Sequence, residues 1–452
     1  MKVKQLFGAL ALSLLATSVM AAVSPQEADQ LGKNLTPIGA EKAGNAAGTI
    51  PEWTGGLAKN AAAVDANGFL SNPFAGEQPA FVITAQNADQ YKANLSEGQL
   101  AMLKRYPETY KIPVYKTNRT VAMPQSVYDL AKQSALNTQL VDNGNGLDNF
   151  TQTRVFAFPI PKQGIEVIWN HLTRYVGGNT KRAMIQATPQ TNGSYTLVRL
   201  EDEIAYPQYM NGVDSNTTTM VFFKQRVTAP ARLAGNVLLV HDSLNQVKEP
   251  RKAWVYNAGQ RRVRLAPQVA YDGPGTASDG LRTTDNFNMF SGAPDRYDWK
   301  LIGKREMYVP YNNYELGSPK LKYDQIIKAG HINQDLTRYE LHRVWEIEAT
   351  LKAGERNIYA KRRFFLDEDS WGILASEMYD GRGQLWRVGE GYQSHDYNRQ
   401  VSGTVAETLY DLVAGRYLVI GLNNEEKHAN TYGHTANFSE FTPAALRNSG
   451  VR

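Results

Sequence analysis

The sequence predicts an α+β protein dominated by an antiparallel sheet with one apolar and one charged face, and three observations carry that prediction. In "ELHRVWEIEATLKAGERNIYAKRRFFLD", residues 340–367, Leu341, Trp345, Ile347, Ala349 and Leu351 alternate with Glu340, His342, Glu346, Glu348 and Thr350, the period of a half-buried strand. Setting Leu351 opposite Ile358 places Ala349 by Ala360 and Trp345 by Phe364, and sets Glu346 by Arg363 and Glu348 by Lys361. One register thus matches both faces. In "RKAWVYNAGQRRVRL", 251–265, setting Tyr256 opposite Arg262 gathers Trp254, Tyr256, Arg262 and Arg264 on one side, with Ala253, Val255, Val263 and Leu265 on the other. Third, "GIEVIWNHLTRY" aligns Ile165, Ile168, Trp169, Leu172 and Tyr175 along one face of a helix over 164–175 that ends at Gly177 and Gly178.

Taken in order, the chain opens with "MKVKQLFGALALSLLATSVMA". Lys2 and Lys4, an apolar run from Leu6 to Ala16, and small residues at Val19 and Ala21 read as a secretory signal peptide over 1–21, cut after Ala21. The run is shorter than the roughly 20 residues a membrane-spanning helix needs, and no comparable run follows. The expected location is the periplasm. Residues 22–150 are rich in Gly, Pro, Asn and Thr and read as an N-terminal helical and irregular region. Within it Ser96 and Gln99 form a capping box for a helix that stops at Pro107. Strands are expected at 182–189, 195–204, 219–227 and 236–244, and at 298–311 with Gly303 marking a bulge. Residues 371–390 read as strand, tight turn, strand, while 407–422 fits a hairpin or a helix. The Asp-rich stretch 272–298 lacks the spacing of a calcium loop and reads as solvated turns.

Composition removes several function classes. The formal charge of +5 falls to +3 once Lys2 and Lys4 leave with the leader, so little basic bias remains for a polyanion, and no nucleic-acid partner is expected. With no Cys, disulfides, thiolate metal sites, Cys nucleophiles and a lipid-modified N-terminus are all excluded. No GxSxG, HExxH or phosphate-binding loop occurs, and no cofactor or metal is implied; His428 and His434 lack partners at ligand spacing. A secreted hydrolase is the alternative function. An outer-membrane barrel is disfavoured because Glu346, Glu348, Lys361 and Arg363 share a face that lipid would have to meet.

The segments "LTPIGAEKAGNAAGTIPEWTGGL", "FPIPKQGIEVIWNHLTRYVG", "DGLRTTDNFNMFSGAPDRYDWKLIGKREMYVPYNNYEL", "YDGRGQLWRVGE" and "FTPAALR" resemble the bacterial domain-of-unknown-function family 1329 over nearly the whole chain after the leader. That family is similar to the LolA/LolB superfamily of outer-membrane lipoprotein carriers. The resemblance implies an incomplete antiparallel β-barrel over 151–452, with helices covering a concave apolar face. It also implies a lipid or hydrophobic small molecule as cargo, with an envelope transporter or outer-membrane protein as partner. It carries no ligand motif with it.

An apolar sheet face must be covered by other elements or filled by a ligand, and an acyl chain gains roughly 0.8 kcal/mol per buried CH₂. The candidate cavity residues are Val255, Val263, Leu265, Trp345, Ile347 and Phe364, with Trp169 from the helix above. Arg343 and Arg362 break the apolar face of the 340–367 hairpin. Each must reach water, an internal carboxylate or the anionic headgroup of a cargo.

Overall fold

The structure is a computed structural model describing residues 23–450 apart from 215; the signal peptide and its cut after Ala21 lie outside the described residues. Thirteen strands carry the architecture: β1 Thr180–Ala187, β2 Val198–Ala205, β3 Thr219–Ala229, β4 Val237–Ser243, β5 Lys252–Asn257, β6 Arg262–Leu265, β7 Tyr297–Pro310, β8 Tyr339–Leu351, β9 Lys361–Asp367, β10 Ile373–Tyr379, β11 Leu385–Asp396, β12 Val401–Asp411 and β13 Arg416–Ile420. They belong to one 16-stranded sheet. Its plan is two antiparallel meanders, β1 to β6 and β7 to β13, laid side by side. They meet where Val419 pairs with Ala187 and Ile420 with Gln186. The outermost strands, β6 and β7, do not pair with each other, so the curved sheet stays open. The loop 266–296 joins those two free edges.

Most strands fall where alternation placed them. Gly303 sits at a register shift in β7 with φ 140°, and 407–422 resolves as the end of β12, a turn and β13. Two registers differ from expectation. In the β8–β9 pair Ile347 faces Phe364 and Glu348 faces Arg363, a slip of two residues from the expected pairing of Trp345 with Phe364. A two-residue slip keeps every side chain on its face. Glu348 also still serves both cations, at 2.9 Å from Arg363 and 3.8 Å from Lys361. In the β5–β6 pair Tyr256 faces Val263 and Trp254 faces Leu265, a slip of one that exchanges the faces of β6. Val263 therefore packs with Trp254 and Tyr256 beneath α4 (Pro443–Gly450), and Leu265 is 63% exposed.

Both faces of the sheet are covered. Here the inner face is the one that meets loop 266–296. The opposite face carries Val388, Tyr392, Tyr410 and Val419, and is packed by Met102 and Leu103 of α1 (Glu97–Arg105). The expected capping box is present in α1: Ser96 Oγ accepts from the Gln99 amide while Gln99 reaches back to the Ser96 amide. On the inner face, Ile347 and Phe364 are buried with Val167 and Ile168 of α3 (Gly164–Leu172) and with Val127 and Ala131 of α2 (Gln125–Asn137). Residues 23–150 thus share cores with the sheet.

Helix α3 approaches β7 closely because its first residue has no side chain. A Cβ on Gly164 would lie 2.7 Å from the Lys300 carbonyl carbon and 2.9 Å from the Leu301 amide nitrogen. Gly164→Ala should therefore push the helix off the strand and cost about 1–3 kcal/mol, the usual scale of overpacking. Urea unfolding of the two proteins, read by Trp fluorescence, checks this.

Candidate functional site

The loop 266–296 has to cross the inner face, because it connects strands at opposite edges of an open sheet. It is bound along the way. The Thr276 and Ala277 carbonyls accept from Gln186 of β1 at 3.0 and 2.8 Å, and the Gly280 carbonyl accepts from Arg387 of β11 at 2.7 Å. Asp285 pairs with Arg362 of β9 at 2.7 Å, and the Met289 amide donates to Glu407 of β12 at 3.0 Å. The Met289 side chain passes over Gly389 of β11, where a Cβ would come within 3.2 Å of its Cε. Leu281, Met289 and Phe290 are buried. The expectation of solvated turns over 272–298 is thereby overturned for this part of the stretch. Its apolar residues bury against a face assembled by distant strands, which local composition does not report.

Between this loop, the C-terminal end of α3 and the sheet lies a cavity of about 130 Å³. Strand alternation supplies its floor: Ile204, Phe223 and Val240 pair across β2, β3 and β4, and Leu238 stands beside them. Leu172, Met220, Val269, Phe287 and Phe290 complete the apolar wall. A second cavity of about 40 Å³ shares Leu172, Arg174, Val176, Tyr206 and Met220 with the first, so the two adjoin.

The polar groups around the first cavity are largely committed. Asp242 binds Arg251 through two contacts at 2.6 and 2.7 Å. Asp202, beneath Gln225, takes Arg182 at 3.0 Å and Gln225 Nε2 at 2.9 Å; burial pushes its carboxyl up from the usual range. Arg174, two residues beyond α3, donates to the His171 carbonyl at 2.5 Å. His171 in turn lies 2.9 Å from the Asn288 carbonyl and 3.2 Å from that of Trp371, and burial holds its imidazole neutral by pushing its pKa well down.

None of the seven apolar candidates read from the sequence lines this cavity. Val255, the cross-strand neighbour of Leu238, joins the cluster of Val240, Leu238 and Phe223 beside the floor. Val263 and Leu265 stand on the other face, for the register reason given above. Trp345, Ile347 and Phe364 belong to the filled core under α3, with Trp345 stacked on Trp371 at 5.9 Å and Phe364 against Phe290 at 5.5 Å. Trp169 turns away to pack on Leu147, Phe150 and Phe158, its indole N–H donating to the Gly144 carbonyl at 2.8 Å. Arg343 pairs with Glu368 at 2.9 Å and with Glu41 at 3.6 Å. Arg362 is wholly buried beside Tyr359, Tyr297 and Phe290, with Asp285 as its carboxylate.

Two other constellations bear on chemistry. His342, Asp367 and Asp369 offer ligand atoms within 4.8 Å of one another. Their partners are protein groups, however: Arg119 on Asp369 at 2.6 Å, Ser370 and Tyr311 on Asp367 at 2.7 and 3.1 Å, and Glu340 on His342 at 3.0 Å. Because Arg119 also donates to the Glu41 carbonyl at 2.8 Å, the network ties the N-terminal region to the end of β9. Burial, helped by the Asp369 charge, pushes the Asp367 carboxyl up to about 6. The folded state then holds a proton that the unfolded chain releases near 3.8, so stability from this group falls as pH rises through roughly 4 to 6. Asp367→Asn should flatten that fall, and melting temperatures of both proteins from pH 4 to pH 8 measure it. The second constellation is Ser402 Oγ, 3.0 Å from His395 Nδ1. The two are cross-strand neighbours on β11 and β12, His395 Nε2 meets no partner among the described residues, and burial brings the imidazole down to about 3. Among the described residues the pair has no carboxylate on His395 to orient it as a catalytic base.

A sheet rolled into an incomplete barrel, with helix and loop packed on its inner face around a small, mostly apolar cavity, places the chain in the class of open half-barrels. The chain belongs to the family described as Protein of unknown function (DUF1329), whose model matches residues 82–447. It is 63% identical over 447 residues to the uncharacterized protein PA3922 of Pseudomonas aeruginosa, covering 98% of each chain. Among solved structures it is similar to a putative outer membrane lipoprotein-sorting protein domain from Vibrio parahaemolyticus, with TM-score 0.44 and 12% identity over 63% of this chain and 98% of that one. A DUF1329 family protein from Desulfovibrio piger gives TM-score 0.40 and 14% identity over 60% and 92%. A LolA superfamily protein from Nitrosomonas europaea gives 0.36 and 10% over the same shares, 60% and 92%. No helix among the described residues is long and apolar enough to cross a membrane.

Proposed function

We propose that the chain is a periplasmic carrier or binding protein for a lipid or other hydrophobic cargo, exchanging it with an envelope transporter or outer-membrane protein. The observation that carries this reading is the cavity on the inner face, with Ile204, Phe223, Leu238 and Val240 as its floor. Apolar walls with a few placed polar groups are the usual make-up of a small-molecule site. At about 130 Å³ the space accepts a ring or short chain, and a longer chain extends into the adjoining cavity or displaces part of loop 266–296. The signal-peptide pattern at 1–21 supports the compartment.

The test is uptake of the neutral dye 1-N-phenylnaphthylamine, whose fluorescence rises in apolar surroundings. Wild-type protein should bind it. Val240→Trp, which fills the floor, should abolish the signal, and Val263→Trp, on the other face, should leave it unchanged. No uptake by the wild type, or equal uptake by both variants, would refute a cavity carrier.

A further inference from the structure

Six arginines are buried among the described residues: Arg119, Arg282, Arg338, Arg343, Arg362 and Arg387. Five have a carboxylate within 3.0 Å, namely Asp369, Glu340, Glu368, Asp285 and Asp411 for Arg119, Arg338, Arg343, Arg362 and Arg387. The exception is Arg282. Only 4% exposed, it lines the cavity, and its guanidinium makes no hydrogen bond or ion pair with any described residue; Nε is fully enclosed and unpartnered. Its Cζ stands 5.5 Å from the Phe287 ring, and Glu407 and Asp202 act on it only as charges beyond ion-pair distance. The backbone is shaped to admit it, since a Cβ on Gly275 would lie 2.8 Å from Cζ and 2.9 Å from Nη2.

Arg174 lines the same cavity, and its hydrogen bonds go to His171 rather than to a carboxylate. The carboxylates nearby are spoken for by Arg182 and Arg251, except Glu407. Glu407 takes the Met289 amide and has no arginine within ion-pair distance among the described residues. Burial lowers the pKa of both Arg282 and Arg174 from the usual arginine range and outweighs the opposing pull of the Glu407 charge on each. A buried guanidinium without an ion-pair partner is unfavourable, and an anion that enters beside it relieves that cost.

We infer that Arg282 and Arg174 form the anion-binding end of the inner-face cavity. The cargo is then an aliphatic chain carrying a carboxylate or phosphate, its apolar part lying on Ile204, Phe223, Leu238 and Val240. The guanidinium fork suits either anion. This rests on the carrier reading and assigns the headgroup end that Arg343 and Arg362, each already paired, leave unfilled.

Displacement of 1-N-phenylnaphthylamine from the wild type by decanoate, decanol and inorganic phosphate tests it. Decanoate should displace the dye at least tenfold better than decanol, and phosphate alone should not displace it. Arg282→Met should erase the preference for decanoate while keeping dye and decanol binding, and Arg282→Lys should restore part of it. Arg282→Met removes an unpaired buried charge, so its melting temperature should hold or rise. Equal binding of decanoate and decanol by the wild type, or an undiminished decanoate preference in Arg282→Met and Arg174→Met, would overturn the inference and leave the carrier intact. Phosphate binding as tight as decanoate would replace the amphiphile with a small anion. Dye binding absent from the wild type would remove the carrier reading first, and this inference with it.

Discussion

Asp285→Asn should destabilise the fold by about 3–5 kcal/mol, the cost of stranding a buried charge. Arg362 is wholly buried, and among the described residues Asp285 Oδ2 at 2.7 Å is the one carboxylate paired with it, while its Nε and Nη1 have no hydrogen-bond partner. Three rings, of Tyr359, Tyr297 and Phe290, at 4.7, 5.2 and 5.8 Å from Cζ, soften the guanidinium's burial but do not neutralise it. Asn keeps the shape and removes the charge. Because Asp285 belongs to loop 266–296 and Arg362 to β9, the same change should free the middle of the loop from the sheet. Adding Arg362→Met should return most of the lost stability, since removing both partners leaves no stranded charge. Urea midpoints of the wild type, the two single variants and the double variant measure the coupling. A single-variant loss under about 1 kcal/mol would place the pair among weak surface-like bridges and contradict the burial argument.

Phe364→Ala should cost a similar amount, about 3–5 kcal/mol, the range for deleting a buried aromatic. The ring is fully buried, stacked 5.9 Å from Trp299 and tilted edge-on to Phe290 at 5.5 Å, with α3 packed above. Phe290 also lines the cavity. The space left by the ring therefore borders the cavity across one side chain, and dye uptake should rise as stability falls. Denaturant unfolding together with dye titration reads both effects; a small loss of stability would show that this part of the inner face is not a packed core.

The strands were legible because half-buried antiparallel strands write their faces directly into alternation. The 340–367 hairpin has apolar and charged residues every second position, so its faces could be read, but a slip of two leaves the pattern unchanged. That is why Glu348 met Arg363 rather than Lys361 as its direct neighbour. The 251–265 hairpin gave equally good apolar matching in two registers, and the one that forms sets Val263 beside Tyr256 under α4. No local signal separates those registers. The candidate site was less legible still. Its floor comes from strands recognised as strands, but its lid is a 266–296 loop of Gly, Pro and Asp whose burial follows from joining two distant free edges. A connection of that length with no regular structure beyond the single 3-10 turn Thr284–Asn286 is itself a functional flag, and Leu281, Phe287, Met289 and Phe290 within it were the available hint. That Arg282 has no ion-pair partner among the described residues follows only from which acids the fold brings near and which arginines reach them first.

Native mass spectrometry of the chain, purified without detergent from an expressing bacterium and then incubated with decanoate, tests the central claim most directly. The account predicts one bound amphiphile per chain on the wild type, carried from the cell or exchanged for decanoate, and bare protein for Val240→Trp. Bare wild-type protein after incubation, or the same adduct on Val240→Trp, would contradict it.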